Sequence, residues 1–213
     1  MKIALIGATG FIGSHVLNEA LDRRHEVTAI VRRPERVPVH SGVTAKKGDV
    51  YDPDTLAGLL VGHEAVISAF STAKDAADIY QSMVDGAKGI VAATKKSGVK
   101  RLLVVGGAGS LEIAPGRQVV EEPDFPEPWK AGSLGTRQFL YLLREEPDLD
   151  WTYLSPAQMI QPGERTGKFR LGGDQLVMDA EGQSRISLQD YAAAMIDELE
   201  EPHHSRRRFT VAY

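Results

Sequence analysis

The feature that most constrains this chain is a group of three glycines near its N-terminus. Gly7, Gly10 and Gly13 follow the apolar run 3–6 and open residues 11–23, where apolar side chains recur at helical spacing. Glycines between a strand and a helix let the backbone turn tightly, approach a ligand and pack the helix against the strand. The free amides and the positive dipole end at the start of such a helix attract phosphate groups.

The loop therefore predicts a cradle for a diphosphate. Its spacing is G-x-x-G-x-x-G and not G-x-G-x-x-G, so the signal depends on the strand before it and the helix after it. A glycine turn without a ligand is the alternative interpretation. The candidate cradle residues are Gly7, Ala8, Thr9, Gly10, Phe11, Ile12 and Gly13, with the Thr9 hydroxyl as a further donor.

Short apolar runs alternate with amphipathic segments along the rest of the chain. The pattern predicts strands at 3–6, 27–31, 43–46, 65–69, 101–105, 151–154 and 209–213, and helices at 11–23, 53–60, 76–96, 134–144 and 187–199. Asp52 and Pro53 are typical of a helix start, and Ser187 with Asp190 of a capping box. Residues 106–129 are expected to be mostly loop, and residues 156–185 irregular, with short strands near Phe169 and Val177.

This alternation predicts an α/β protein with a Rossmann-type, doubly wound, mostly parallel sheet covered by helices on both faces. The sequence has no internal repeat or interdomain linker, so residues 1–213 are expected to form a single domain with a small substrate-side region at about 156–186. Ligands of such sheets bind outside the carboxyl ends of the strands. Function is therefore expected in the loops after Ile6, Val31, Ala69, Val105 and Leu154.

Composition limits the classes of partner. The net charge of −4 argues against a broad nucleic-acid or anionic-membrane surface, and the basic run 206–208 is interpreted as a solvated strand edge. Cysteine is absent, and no apolar run has the length of a signal peptide or membrane span. The six histidines lack metal-site spacing, so no metal is expected. A cytoplasmic monomer or homodimer without nucleic-acid or membrane partners is expected.

The glycine loop resembles that of the extended and atypical short-chain dehydrogenase/reductases. Ser155-Pro156-Ala157, residues 162–167 and Arg185-Ile186-Ser187 are similar to segments of the small NAD(P)H-binding proteins labelled NADH-flavin reductases. These proteins are similar in turn to NmrA-like proteins and biliverdin reductase B. The resemblance covers the whole chain and implies an NAD(P)-binding domain.

The resemblance also implies roles for the residues after two further strands. Asp49 would meet the adenine amine and Val50 would cover the adenine ring, while Ala69, Phe70 and Ser71 would line the ribose and pyrophosphate. By residue type alone, Asp49 is equally suited to a turn, and Phe70 to the core.

The end of the second predicted strand bears on which nucleotide is bound. An NAD-selective site places an acidic residue there to accept hydrogen bonds from the ribose hydroxyls. Here Val31 is followed by Arg32 and Arg33, whose guanidinium groups are suited to a 2′-phosphate. The pair favours NADP(H) over NAD(H); two exposed loop arginines without a ligand are the alternative.

The Tyr-x-x-x-Lys motif of short-chain reductases is missing. Near its expected position stand Trp129 and Lys130, and an indole cannot donate a proton as a tyrosine acid does. This absence puts ketone reduction, sugar epimerisation and dehydration in doubt. Hydride transfer to FMN, another flavin, a quinone or a similar planar acceptor requires only orientation and exclusion of water, since solvent can supply the proton.

The residues expected around the reacting end follow the fifth and sixth strands. Ser110 and Lys130 are the catalytic candidates, although a capping serine and a solvated lysine are the alternatives. Gly106, Pro156 and Ala157 are expected at the cofactor, and Gly107, Trp129 and Met159 at the substrate. An NAD(P)H-dependent reductase is the leading hypothesis; an NmrA-like redox sensor without catalysis and an epimerase/dehydratase are the alternatives.

Overall fold

The computed structural model describes residues 1–73 and 75–213. The helices are α1 (Gly13–Asp22), α2 (Pro53–Leu60), α3 (Ile79–Ser97), α4 (Glu127–Arg144) and α5 (Leu188–Glu200). The strands are β1 (Lys2–Ile6), β2 (Glu26–Val31), β3 (Val43–Lys47), β4 (Ala65–Ser68), β5 (Arg101–Val105), β6 (Glu112–Ala114), β7 (Arg117–Gln118), β8 (Asp150–Ser155), β9 (Met159–Gln161), β10 (Arg170–Gly172), β11 (Arg185–Ser187) and β12 (Arg207–Ala212).

Eight of these strands form one sheet in the order β10-β12-β8-β5-β4-β1-β2-β3. Its strands are parallel except β10, which runs antiparallel to β12. The chain winds outward from β1 to β3, then crosses to the other side of β1 and continues with β4. This reversal of direction confirms the predicted doubly wound fold, and it places the point where such sheets bind ligands between β1 and β4.

The two faces of the sheet are covered by different helices. Apolar side chains of α1 and α5 form one buried cluster with the sheet, and those of α2, α3 and α4 form the other. Both faces are therefore shielded from water, which explains why strands such as Ala65–Ser68 are buried at every position. In the described part of the chain, no helix is long and apolar enough to cross a membrane.

The start of α5 differs in part from the predicted capping box. The Ser187 hydroxyl accepts a hydrogen bond from the Asp190 amide at 2.9 Å, as expected. The prediction of a reciprocal hydrogen bond from the Asp190 side chain is wrong. The buried Asp190 carboxylate instead accepts from Thr166 Oγ1 at 2.6 Å, the Gly167 amide at 2.8 Å and the Tyr213 hydroxyl at 2.8 Å. A buried carboxylate requires several donors; here Thr166 and Gly167 supply two of them and Tyr213 supplies the third.

The predicted loop 106–129 contains more regular structure than expected. It includes the short hairpin β6–β7, and α4 begins at Glu127, seven residues before the predicted start at Leu134. The prolines that indicated a loop flank this start, where a missing amide hydrogen costs nothing. In the irregular region 156–185 the strand near Phe169 is present as β10, whereas Val177 is not in a strand.

The interpretation of 206–208 as a solvated strand edge is wrong for Arg208. Its guanidinium is buried and pairs with Asp174, because β12 lies between β8 and β10 and not at the edge of the sheet. Arg206 and Arg207 are exposed, as expected.

Candidate functional site

The glycine loop joins β1 to α1 where three backbone segments meet. Gly7 has a φ of +80°, and a Cβ atom there would lie 2.5 Å from the carbonyl oxygen of Ala69. A Cβ atom on Gly13 would lie under 3.0 Å from the carbonyl oxygen of Gly7. The first and third glycines thus permit the close packing of α1 on the sheet. A Cβ atom on Gly10 would meet only the Gly7 carbonyl oxygen, at 3.2 Å. Close packing of α1 on the sheet therefore does not explain this glycine.

The amides at the start of α1 are available to a ligand. The helix begins at Gly13, two residues after the predicted start, and neither a side-chain cap nor an acidic residue occupies its first turn. The Gly10 amide closes the turn onto the Gly7 carbonyl at 2.9 Å. Within the described residues, no protein acceptor meets the amides of Phe11 and Ile12. Such orphan donors suit the oxygens of a diphosphate.

A cavity of about 740 Å³ lies beside this loop at the carboxyl ends of β1, β2 and β4. It brings together ten of the residues predicted to bind the cofactor. These are Gly7, Thr9, Gly10, Arg32, Arg33, Asp49, Val50, Ala69, Phe70 and Ser71. Ala8 is fully buried, so it contributes to the loop through its backbone.

The cavity has a third arginine that the sequence analysis missed. Arg36 lines the cavity with Arg32 and Arg33, because a single helical turn over Pro34–Arg36 curls the chain back after β2. All three side chains are exposed, and none forms an ion pair with a carboxylate of the described chain. Pro34 was the available signal, since proline favours the first position of such a turn.

Asp49 and Val50 occupy the floor of the same cavity. One Asp49 carboxylate oxygen accepts a hydrogen bond from the Tyr51 amide at 3.0 Å, which makes it a turn residue and leaves the second oxygen for a ligand. Val50 is almost fully buried. The Tyr51 ring, also missed by the sequence analysis, meets Phe70 edge-on with 6.2 Å between ring centroids.

The catalytic candidates occupy very different surroundings. Ser110 is 1% exposed, and its hydroxyl lies 3.4 Å from the Arg208 guanidinium and 3.5 Å from the Gly107 carbonyl. Lys130 projects from the first turns of α4 and lies 3.9 Å from Glu127. Trp129 and Met159 are 67% and 54% exposed, whereas Gly106, Pro156 and Ala157 are buried. Across the described residues, no three His, Asp or Glu side chains cluster as metal ligands.

Tyr153 on β8 braces the loop after β5. Its hydroxyl donates to the Thr136 carbonyl of α4 at 3.0 Å and accepts from the Gly107 amide at 3.2 Å. Burial raises the pKa of Tyr153 to about 12. This tyrosine therefore holds the Gly106–Gly107 backbone in place, and its hydroxyl proton is donated to the Thr136 carbonyl.

We expect Tyr153→Phe to destabilise the fold by about 1–3 kcal/mol. The variant removes the acceptor of the Gly107 amide and one donor to the Thr136 carbonyl, two part-buried hydrogen bonds whose combined loss costs about this much. Urea denaturation followed by circular dichroism measures the change. Tyr141→Phe is the matched control, because Tyr141 is half-buried and its hydroxyl accepts only from the Gln118 side chain at 3.2 Å. Equal losses in the two variants would contradict the bracing role.

Comparison with known proteins agrees with this arrangement. A family model described as NAD(P)H-binding matches residues 7–202. The uncharacterized protein YwnB of Bacillus subtilis (strain 168) is 38% identical over 214 residues, which cover 99% of this chain and 98% of that protein.

Two solved structures resemble the whole chain. A protein of Bacteroides thetaiotaomicron provisionally called an epimerase is 46% identical, with a TM-score of 0.93 and coverage of 100% of this chain and 96% of the other. A protein of Streptococcus pneumoniae provisionally called an NADH-flavin reductase is 35% identical, with a TM-score of 0.87 and coverage of 100% and 99%. The chain therefore belongs to the family described as NAD(P)H-binding.

Proposed function

We propose that this protein is an NADPH-dependent reductase that transfers a hydride to a flavin, a quinone or a similar planar acceptor. The observation that carries the proposal is the cavity of about 740 Å³, which is lined both by the glycine loop and by three arginines that form no ion pair with a carboxylate of the described chain. Free amides suit a diphosphate, and guanidinium groups suit a further phosphate. A dinucleotide with a 2′-phosphate carries both a diphosphate and a further phosphate.

Charge supports NADPH over NADH. Arg32, Arg33 and Arg36 surround the end of β2, where the ribose of the adenosine half lies in this fold. Two carboxylates, Asp49 and Asp75, also line the cavity, and Val31 stands where an NAD-selective site has an acid. None of the three guanidinium groups pairs with a carboxylate that the structure describes, which favours the more highly charged nucleotide.

Four exposed hydrophobic side chains support a flat, apolar acceptor. The four strands β1, β4, β5 and β8 are neighbours in the sheet. The side chains come after these strands in the chain and are Phe11, Tyr80, Trp129 and Met159, respectively. Each is among the exposed large hydrophobic side chains, with exposures from 39% to 67%. A dinucleotide held at its diphosphate would place its nicotinamide near the carboxyl ends of these strands. Aromatic and thioether side chains there are suited to stacking on a conjugated ring.

The proposed reaction needs no side-chain acid, which agrees with the missing Tyr-x-x-x-Lys motif. The hydride carries two electrons from the nicotinamide to the acceptor ring, and a proton from water completes the reduction. The protein then supplies orientation and a dry contact surface, while the nicotinamide supplies the chemistry. Ser110 is buried against Arg208 and Tyr153 is braced by backbone groups, so neither enters the proposed step. Lys130 remains available to contact ribose or substrate.

The test is NADPH oxidation followed at 340 nm with riboflavin, FMN and a short-chain quinone as separate acceptors. We expect turnover with at least one acceptor, a lower KM for NADPH than for NADH, and loss of turnover in Gly10→Val. Tight NADPH binding without turnover on any of them would contradict the reductase and favour the NmrA-like sensor. Exchange of a sugar-nucleotide substrate without net NADPH oxidation would instead favour an epimerase.

A further inference from the structure

Helix α3 packs unusually close to the wall of the cofactor cavity. A Cβ atom on Gly86 would lie under 3.0 Å from Cε1 and Cζ of Phe70 and 3.2 Å from Cγ2 of Val50. A Cβ atom on Gly89, one turn later, would lie under 3.0 Å from the Val50 carbonyl oxygen. Real Cβ atoms essentially never come within 3.0 Å of a neighbouring atom. Two glycines on one face of α3 therefore permit the present positions of Val50 and Phe70.

Both of these neighbours line the cavity. Phe70 lies between α3 and the open space, since its ring tip meets Gly86 while the residue also lines the cavity. Val50 also lies between α3 and the cavity, with its carbonyl oxygen against Gly89 and one methyl group against Gly86. On the cavity side, the Phe70 ring is met edge-on by Tyr51, which is itself held by Ser82 of α3 through a 3.2 Å hydrogen bond. An atom added to α3 at Gly86 would push the ring toward the ligand.

We infer that Gly86 and Gly89 are positioning residues for the adenine half of the cofactor, because they set how far Val50 and Phe70 project into the cavity. The inference rests on the proposed cofactor site, and it does not depend on which acceptor is reduced. Gly89 acts against a backbone atom, which cannot move without displacing the loop after β3. Gly86 acts against the far end of a side chain, which can move while the fold is retained.

Gly86→Ala is therefore the informative variant. We expect the dissociation constants of NADPH and of 2′,5′-ADP, measured by calorimetry, to rise about tenfold, which is the effect of a small steric intrusion into a packed site. Turnover with saturating NADPH should be retained, so KM rises while kcat changes little. A reduced mononucleotide, NMNH, lacks the adenosine half, and its saturation kinetics should be unchanged. A general loss of stability would not produce this selective pattern.

Gly86→Ala/Phe70→Leu tests the route of the effect. Leucine lacks the two ring atoms that the added methyl would meet, so the second substitution should restore part of the affinity lost in Gly86→Ala. Gly58→Ala on α2 is the matched control, because a Cβ atom there meets nothing within 4 Å. Unchanged 2′,5′-ADP affinity in Gly86→Ala, or equal losses in Gly86→Ala and Gly58→Ala, would overturn the inference. Absence of turnover in a wild-type protein that binds 2′,5′-ADP would refute the proposed reaction alone.

Discussion

Gly10→Val is expected to weaken NADPH binding about 100-fold or more while the protein stays folded. Gly10 lines the cavity beside the free amides, and a Cβ atom there meets only the Gly7 carbonyl oxygen, at 3.2 Å. A branched side chain at this position occupies the space of the diphosphate. Losing two hydrogen bonds to a charged group costs about 3 kcal/mol or more, which corresponds to at least two orders of magnitude in affinity.

Calorimetric titration with NADPH and a thermal melt of the same sample make this measurement. The control is Gly58→Val on the exposed face of α2, where nothing lies within 4 Å of an added Cβ atom. A Gly10→Val protein that melts like the control and binds NADPH like the wild type would remove the glycine loop from the site. The whole functional proposal would then lose its foundation.

The double variant Arg32→Glu/Arg33→Glu is expected to reverse the preference between the two nucleotides. We expect the dissociation constant of NADPH to rise about 100-fold, and that of NADH to change by less than about threefold. Each guanidinium makes charge-assisted hydrogen bonds worth about 1.5–3 kcal/mol with a phosphate, and the introduced carboxylates repel it. NADH has no 2′-phosphate, so the same substitutions remove nothing from its binding.

The matched control for charge is Lys100→Glu/Arg207→Glu. Both side chains are exposed and stand at the amino ends of β5 and β12, at the opposite edge of the sheet from the cavity. The control carries the same change in net charge. Titrations of each variant with both nucleotides at two salt concentrations separate a local contact from a general field. Equal losses for NADPH and NADH in the arginine variant would contradict the assignment of NADPH.

The binding half of the site was largely predictable from the sequence, and the reacting end was not. The residues of the cradle are consecutive, and Arg32, Arg33, Asp49 and Phe70 each lie within three residues of the end of a predicted strand. In a parallel sheet the carboxyl ends of the strands share one edge, so these positions converge once the strands are recognised. Arg36 was missed because its approach depends on a helical turn that begins three residues beyond the strand.

The reacting end depends on pairs of residues that lie far apart in the chain. Ser110 is a catalytic candidate by residue type, but β12 places the Arg208 guanidinium against its hydroxyl. Tyr153 carried no sequence signal as a brace, because its partners, Gly107 and Thr136, belong to other elements. In the sequence, Gly86 and Gly89 are ordinary positions of a predicted helix. Only the structure shows that Phe70 and Val50 pack against them.

By itself, then, the amino-acid sequence determined the alternation of strands and helices, the glycine loop and the basic end of β2. These features arise from hydrophobic periodicity, backbone freedom and charge within a few neighbouring residues. Only the tertiary structure decided which polar groups are buried with partners and which remain free for a ligand. That distinction is set by desolvation and close packing between distant segments, and neither quantity is a property of a short stretch of sequence.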